Sequence, residues 1–299
     1  MDNKGSFTQH PATVGQALQY CSETLEKSDV FFSHGTDNPW DEAVQLVLSV
    51  ADLPQDSDNG VLPHPLNDEA FARLQELLQR RITEHLPLPY LLGRAWFAGL
   101  EFRCDQRAII PRSPIAELIL HDFQPWYNGP EPRRVLDLCC GGGCIGLATA
   151  HYFSGVEVDL LDIDPAALDL ARENVALLDL GSRVRVLQSN LFEALEDVSY
   201  DIILSNPPYV DAADLAAMPA EFLHEPELAL GSGPDGLDLT HAILAGAANF
   251  LNDTGLLVVE VGNSWAALEE AYPKLPFTWL EFERGGHGVF ALSAGELTG

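Results

Sequence analysis

The residues best suited to chemistry are Ser205-Asn206-Pro207-Pro208-Tyr209, which follow a short apolar run. These types suit the handling of a planar NH₂ group. An amide nitrogen is a poor nucleophile because its lone pair is shared with the carbonyl. The Asn206 side-chain oxygen and the Pro207 carbonyl can each accept one N–H, which aims the nitrogen and favours loss of conjugation. Pro208 has no N–H to compete for the Pro207 carbonyl, and it restricts the dihedrals of its neighbour. Tyr209 can stack on the flat target group. No strong base is needed first, because an alkylated, protonated amide sheds its proton to water. Such a site works by positioning and electrostatics, with about 7–11 kcal/mol available from orientation. Two prolines after an asparagine also make a bare turn. The position after a central strand, where ligands bind in open α/β sheets, favours the chemical reading.

A second constellation is Asp137-Leu138-Cys139-Cys140-Gly141-Gly142-Gly143-Cys144-Ile145-Gly146. Glycines at a strand-to-helix turn let a ligand approach the backbone, and the helix start offers unpaired N–H groups. Gly141, Gly143 and Gly146 satisfy G-x-G-x-x-G, although glycines here also serve tight helix–sheet packing. Asp137, at the strand end, can meet an ammonium group and would repel a pyrophosphate. That favours a nucleoside with a cationic amino-acid tail over a dinucleotide. Asp162 ends the next strand, where a carboxylate can accept from both ribose hydroxyls, a role shared with NAD enzymes. Asp164 reads as a helix cap and Asp159 as a surface charge. Asn190 and Leu191 follow the third strand. Asn190 either sits beside an adenine amine, with Leu191 against the ring, or caps a helix.

The elements that must position these groups are legible from periodicity and punctuation. Thr13–Lys27, a segment from Asn38-Pro39 and a segment capped by Asn67 carry helical apolar spacing, including Val14, Leu18, Trp40, Val47, Leu74 and Leu78. Residues 94–104 read as two short strands turning at Ala98-Gly99. Ser113-Pro114 opens another helix. From Arg133, strands at 135–138, 156–163, 184–187, 201–204 and 255–261 alternate with helices at 144–151, 165–178 and 237–251. Alternation of this kind implies right-handed crossovers and a parallel sheet covered on both faces. The runs 277–282 and 289–292 have too short a link for a crossover and should pair antiparallel. The predicted organisation is a helical N-terminal domain (1–93), a β-hairpin linker (94–104) and an α/β domain (105–299).

The chain has 299 residues, with 45 acidic against 16 basic, for a net charge of −29. Such a surface repels polyphosphate and attracts cationic partners, or serves solubility in general. The five cysteines, Cys21, Cys104, Cys139, Cys140 and Cys144, are odd in number and clustered. They form no disulfide framework and no paired Cys-x-x-Cys zinc site, so reduced thiols in a cytoplasmic protein are expected. Met1–Phe7 lacks a signal-peptide pattern, and the apolar stretches fall short of about 18 residues. No metal and no membrane are expected.

Asp137-x-x-x-Gly141-x-Gly143, Asp162 and Asn206-Pro207-Pro208-Tyr209 together resemble a class I S-adenosylmethionine-dependent methyltransferase of the protein-glutamine branch. Ala95-Trp96-Phe97, Phe102 and Ile110-Pro111-Arg112-Ser113-Pro114-Ile115-Ala116-Glu117-Leu118 resemble its PrmB type, which modifies a glutamine of ribosomal protein uL3. The sister branch, acting on release factors, usually continues Pro-Arg-Pro. His224-Glu225-Pro226-Glu227-Leu228, Asp235-Gly236-Leu237 and 277–282 also fit. The resemblance implies a Rossmann-like methyltransferase sheet, mostly parallel with an antiparallel last strand.

It further implies S-adenosylmethionine held by Asp137, Cys139, Cys140, Gly141, Gly142, Gly143, Asp162, Asn190, Leu191 and Asn206. Asn206, Pro207, Pro208 and Tyr209 would hold the glutamine. Arg112 would line the site, or serve in a salt bridge between domains. Cys140 and Gly142 replace a Thr and a Ser often seen in this loop, and Asn190 replaces an Asp, which lowers the expected cofactor affinity.

The implied partner is a basic ribosomal protein, met before it is buried in RNA, with no direct nucleic-acid binding. Glu221, Glu225 and Glu227 are candidate docking charges, or simply a solvated acidic segment. The N-terminal helices would recognise substrate. Rival readings are a release-factor methyltransferase, a nucleic-acid amino-methyltransferase, a nicotinamide oxidoreductase and a non-catalytic assembly factor. With only three lysines, the chain gives phosphate binding little support.

Overall fold

The computed structural model describes residues 11–298. Met1–Phe7, read above for a leader, lies outside the described residues. The chain divides into two compact units, one of residues up to Gly93 together with Pro219–His224, the other of Arg94–Met218 and Glu225–Gly299.

The first unit holds α1 (Val14–Glu26), α2 (Pro39–Val50), α3 (Asp68–Thr83) and α4 (Leu88–Leu92). The side chains of Thr13, Asn38 and Asn67 accept from the N–H groups of Gln16, Asp41 and Ala70, which satisfies a first-turn donor in each of the first three helices. Val14, Leu18, Leu46, Val47, Leu74 and Leu77 meet in one core. Trp40, expected on that apolar stripe, is 51% exposed. It stands in the first turn of α2, beyond the end of the stripe that Ala43 and Val47 bury.

This unit also buries charge. Arg81 is 1% exposed, and its Nε donates to Glu42 at 2.6 Å, its Nη1 to Glu221 at 3.1 Å and its Nη2 to the Phe31 carbonyl at 2.9 Å. Glu221 accepts as well from the Phe31 N–H and lies 3.2 Å from His85 Nδ1. Glu221 is therefore not a docking charge. A buried guanidinium needs its carboxylate to remain inside.

The second unit opens with a hairpin of β1 (Arg94–Phe97) and β2 (Leu100–Arg103), antiparallel and turning at Ala98-Gly99 as predicted. Its remaining strands are β3 (Arg134–Leu138), β4 (Glu157–Asp162), β5 (Val184–Gln188), β6 (Tyr200–Ser205), β7 (Leu251–Glu260), β8 (Thr278–Trp279) and β9 (Val289–Ser293). The helices are α5 (Ile115–Leu120), α6 (Cys144–Tyr152), α7 (Pro165–Leu177), α8 (Ala212–Ala217), α9 (Asp238–Ala247), α10 (Trp265–Ala271) and α11 (Ala294–Thr298). Among the described residues, strands β3 to β9 form one sheet in the order β5-β4-β3-β6-β7-β9-β8. β3 to β7 are parallel, and β9 runs antiparallel to both β7 and β8.

Alternate residues face opposite sides of the sheet. Val135, Val158, Leu160, Ile202, Leu204 and Val258 join a core with α5, α6 and α7. Leu136, Leu138, Leu161, Ile203, Leu257 and Val259 join another with α9 and α10. The α/β architecture is the one predicted, and several details differ. α9 ends at Ala247, because the chain turns and Leu251 already pairs with Tyr200 at the start of β7. β8 is only two residues long. Asp164 caps α7 as expected, but Asp159 is 3% exposed rather than a surface charge. It lies opposite Arg185 on β5 and accepts from that guanidinium and from the Tyr200 hydroxyl.

Candidate active site

The crossovers from β3 to β4 and from β5 to β6 leave β3 flanked by β4 on one side and β6 on the other. Chain direction thus switches sides at β3, where ligands bind in open α/β sheets. Register places Leu138 beside both Leu161 and Ser205, so three strand ends lie together. The Ser205 hydroxyl donates to the Leu138 carbonyl at 2.8 Å and fastens two of them.

One pocket gathers much of what the sequence singled out: Cys139, Gly141, Asp162, Asn190, Leu191 and Asn206, with Pro208 at its wall. Asp137 lies fully buried beneath the glycine loop. Cys140, Gly142, Gly143 and Pro207 shape the two turns without lining the pocket. Tyr209 faces a different cleft, shared with Arg112, Pro114, Glu260, Asn263 and His287.

Asp137 Oδ2 accepts from the Gly146 N–H at 2.8 Å, and its Oδ1 is buried with no hydrogen-bond partner. Burial pushes its carboxyl up to about 7, partly countered by that N–H and reinforced by Asp162. Asp162 is also shifted upward by burial, although it accepts from the Asp164 and Gly141 N–H groups. The Asn206 side-chain oxygen is likewise buried without a partner. Two unsatisfied acceptors at one strand-end cluster are costly unless a ligand supplies donors.

Asn190 is exposed, and its amide donates to Glu193 at 2.8 Å. The chain from Leu191 forms a turn, so Asn190 caps no helix. Cys139, Cys140 and Cys144 are free thiols, and burial followed by the nearby Asp137 and Asp162 carboxylates pushes Cys139 and Cys140 upward. Protonated thiols of this kind are poor nucleophiles.

Arg112 forms a two-pronged ion pair with Glu225, whose Oε1 also accepts from the Ile110 N–H at 2.9 Å. Glu225 is 5% exposed, so it pins the Ile110–Pro114 run rather than facing a partner. Glu227 does face solvent.

Two further polar residues frame the site and escaped the sequence reading. Asn174 on α7 accepts from the Arg103 N–H at 2.7 Å and donates to the Gly142 carbonyl at 2.9 Å, tying hairpin, helix and glycine loop together. Glu260 closes β7 and binds both Ser113 and Tyr209. The available signal for it was an acid directly after the apolar run Leu256–Val259.

The pattern in residues 116–234 matches the family model "Methyltransferase small domain". The hMettl16 catalytic domain in complex with MAT2A 3′UTR hairpin 1 has a similar fold, with TM-score 0.55 and 18% identity, covering 89% of this chain and 95% of that one. The same domain with hairpin 6 gives TM-score 0.52 at 19% identity, covering 76% and 81%. The fold is therefore that of a class I methyltransferase. "Ribosomal protein uL3 glutamine methyltransferase" of Francisella tularensis is 44% identical over 95% of this chain and 91% of its own. The protein of the same name from Neisseria gonorrhoeae is 43% identical over 97% of each. The chain belongs to the family of these uL3 glutamine methyltransferases, and it is a methyltransferase.

Proposed function

We propose that this protein transfers a methyl group from S-adenosylmethionine to the side-chain amide nitrogen of a glutamine in ribosomal protein uL3. The observation that carries the reading is the buried, partnerless Asn206 oxygen at the wall of a pocket that it shares with the glycine loop and Asp162. The names borne by the two relatives support the choice of substrate.

The residues present fit the cofactor. The free Asp137 oxygen is an acceptor awaiting a donor, as an ammonium group would be. Asp162 retains lone pairs for ribose hydroxyls, Asn190 and Leu191 flank the space for adenine, and at Cys139 and Gly141 the ligand would meet the glycine loop. When bound, S-adenosylmethionine supplies an electrophilic methyl group on a sulfonium. Asn206 and the Pro207 carbonyl each accept one N–H of the glutamine amide and hold its nitrogen in line. Tyr209 ends the same loop, and its ring faces the neighbouring cleft, from which the amide would enter. The product nitrogen loses its extra proton to water, so no base residue is required.

The net charge of −29 draws in a basic protein and repels one already buried in RNA phosphates. Substrate is then free uL3, met in the cytoplasm, with the helical N-terminal unit as its recognition domain. Among the described residues no helix is long and apolar enough to cross a membrane.

The test is to incubate the enzyme and labelled S-adenosylmethionine with isolated uL3, release factors, RNA and DNA, and to locate the label by mass spectrometry. Label on a uL3 glutamine is the expected result. Label confined to release factors or nucleic acid would overturn the assignment.

A further inference from the structure

Glu260 sits at the C-terminal end of β7, next to the strand that carries the Asn206–Tyr209 loop. It is 6% exposed. Its Oε2 accepts from the Ser113 hydroxyl at 2.6 Å and its Oε1 from the Tyr209 hydroxyl at 2.8 Å. Ser113 in turn accepts from the Ile115 N–H at 3.2 Å, at the first turn of α5. One carboxylate therefore links the Ile110–Leu118 run to the last residue of the Asn-Pro-Pro-Tyr loop.

The Tyr209 ring is held on other sides too. A Cβ at Gly262, where φ is +48°, would lie 2.6 Å from Tyr209 Cε2, so the ring rests against bare backbone. The Ser264 hydroxyl is 3.1 Å from the Tyr209 carbonyl and 2.9 Å from the Asp235 carbonyl, which brings the Asp235-Gly236-Leu237 motif to the same residue. The ring has a fixed hydroxyl, a fixed face and a fixed backbone, and it borders an open cleft with Arg112, Pro114 and His287. Its hydroxyl does not serve as an acid. Burial and the Glu260 charge both hold its proton on.

We propose that Glu260 is a positioning residue for methyl transfer. Its carboxylate, shared between Ser113 and Tyr209, fixes the Tyr209 ring and through it the Asn206–Tyr209 loop that would hold the target amide. The inference rests on the glutamine reading above. Glu260 touches neither cofactor nor amide, so its loss lowers kcat and leaves cofactor affinity intact. A glutamine keeps one acceptor and reverses the other contact, its NH₂ donating to a hydroxyl that must turn its own proton elsewhere. A small shift of a loop that orients a reactant is expected to slow transfer by roughly ten- to a hundredfold.

The experiment compares wild type, Glu260→Gln, Tyr209→Phe, the double variant and Ser113→Ala. Single-turnover methyl transfer to uL3 and the calorimetric Kd for S-adenosylmethionine are measured for each. The expected result is a loss of rate in Glu260→Gln with cofactor Kd unchanged, and a double variant no slower than the slower single one. Ser113→Ala, which keeps the carboxylate and removes one donor, should show a smaller loss of the same kind. Full activity in Glu260→Gln, multiplying effects in the double variant, or a loss explained by cofactor Kd would overturn the role. If Glu260→Gln fails to fold, an unaltered rate in Ser113→Ala overturns it instead. Wild type is the reference: no transfer to uL3 by wild type overturns the substrate assignment, whereas equal transfer by wild type and Glu260→Gln overturns only the role of Glu260.

Discussion

Asp137 and Gly146 are joined by a hydrogen bond of 2.8 Å that occupies one carboxylate oxygen and leaves the other buried without a partner. Burial raises this carboxyl from 3.8 to about 7, so the folded protein retains the proton longer than the unfolded chain does. The stability this proton lends is fully present below pH 3.8 and is lost as pH rises through about 7. A cationic ligand tail prefers the ionised form. S-adenosylmethionine should therefore bind more tightly as pH climbs toward 7, with release of a proton, and level off above it. Calorimetry in buffers of different ionisation enthalpy measures both. Asp137→Asn should remove most of the slope, and what remains reports Asp162, which is shifted in the same direction.

Arg81 lies inside the N-terminal unit with carboxylates from Glu42 and Glu221. Arg81→Ala leaves two buried acids facing each other and should cost about 3–5 kcal/mol. Urea unfolding reads the loss directly. Glu221→Ala should free the 219–224 segment from its unit, so limited proteolysis there should accelerate. Unchanged cleavage would show that the buried pair does not hold this segment.

Asn174 makes hydrogen bonds to both backbone groups of Arg103 and to the Gly142 carbonyl. Asn174→Ala strands these groups and should destabilise the protein by about 1–3 kcal/mol. It should also weaken cofactor binding, because Gly142 shapes the loop that approaches the ligand. A variant that loses stability and keeps wild-type Kd would confine Asn174 to bracing the fold.

Much of the fold was legible because local chemistry and global fold agree. Thr13, Asn38 and Asn67 announce helix starts, and the runs at Val135, Val184 and Asp201 announce strands in the right order. The loop at Asn206 was legible because its residue types have few other uses. What escaped were pairings across long stretches of chain. Glu221 and Glu225 read as surface charge, since nothing near them shows that Arg81, 140 positions away, and Arg112, 113 positions away, need buried partners. Glu260 and Ser113 are 147 positions apart, one ending β7 and the other just ahead of α5, and only the folded chain brings them together. Asp159 looked solvated because register, not composition, sets Arg185 opposite it. The short helices α4, α8, α10 and α11 carry too few turns for a periodic signal.

In the proposed geometry, Asn206 and Pro207 hold the glutamine amide while the methyl donor faces it across the pocket. A crystal structure with S-adenosylhomocysteine and a uL3 peptide tests it most directly. The cofactor sulfur should point at the Asn206–Pro207 acceptors, with the glutamine nitrogen in line between them at near-attack distance, about 3–3.5 Å from where the methyl carbon would sit. A sulfur turned away from Asn206, or a glutamine bound elsewhere, would contradict it.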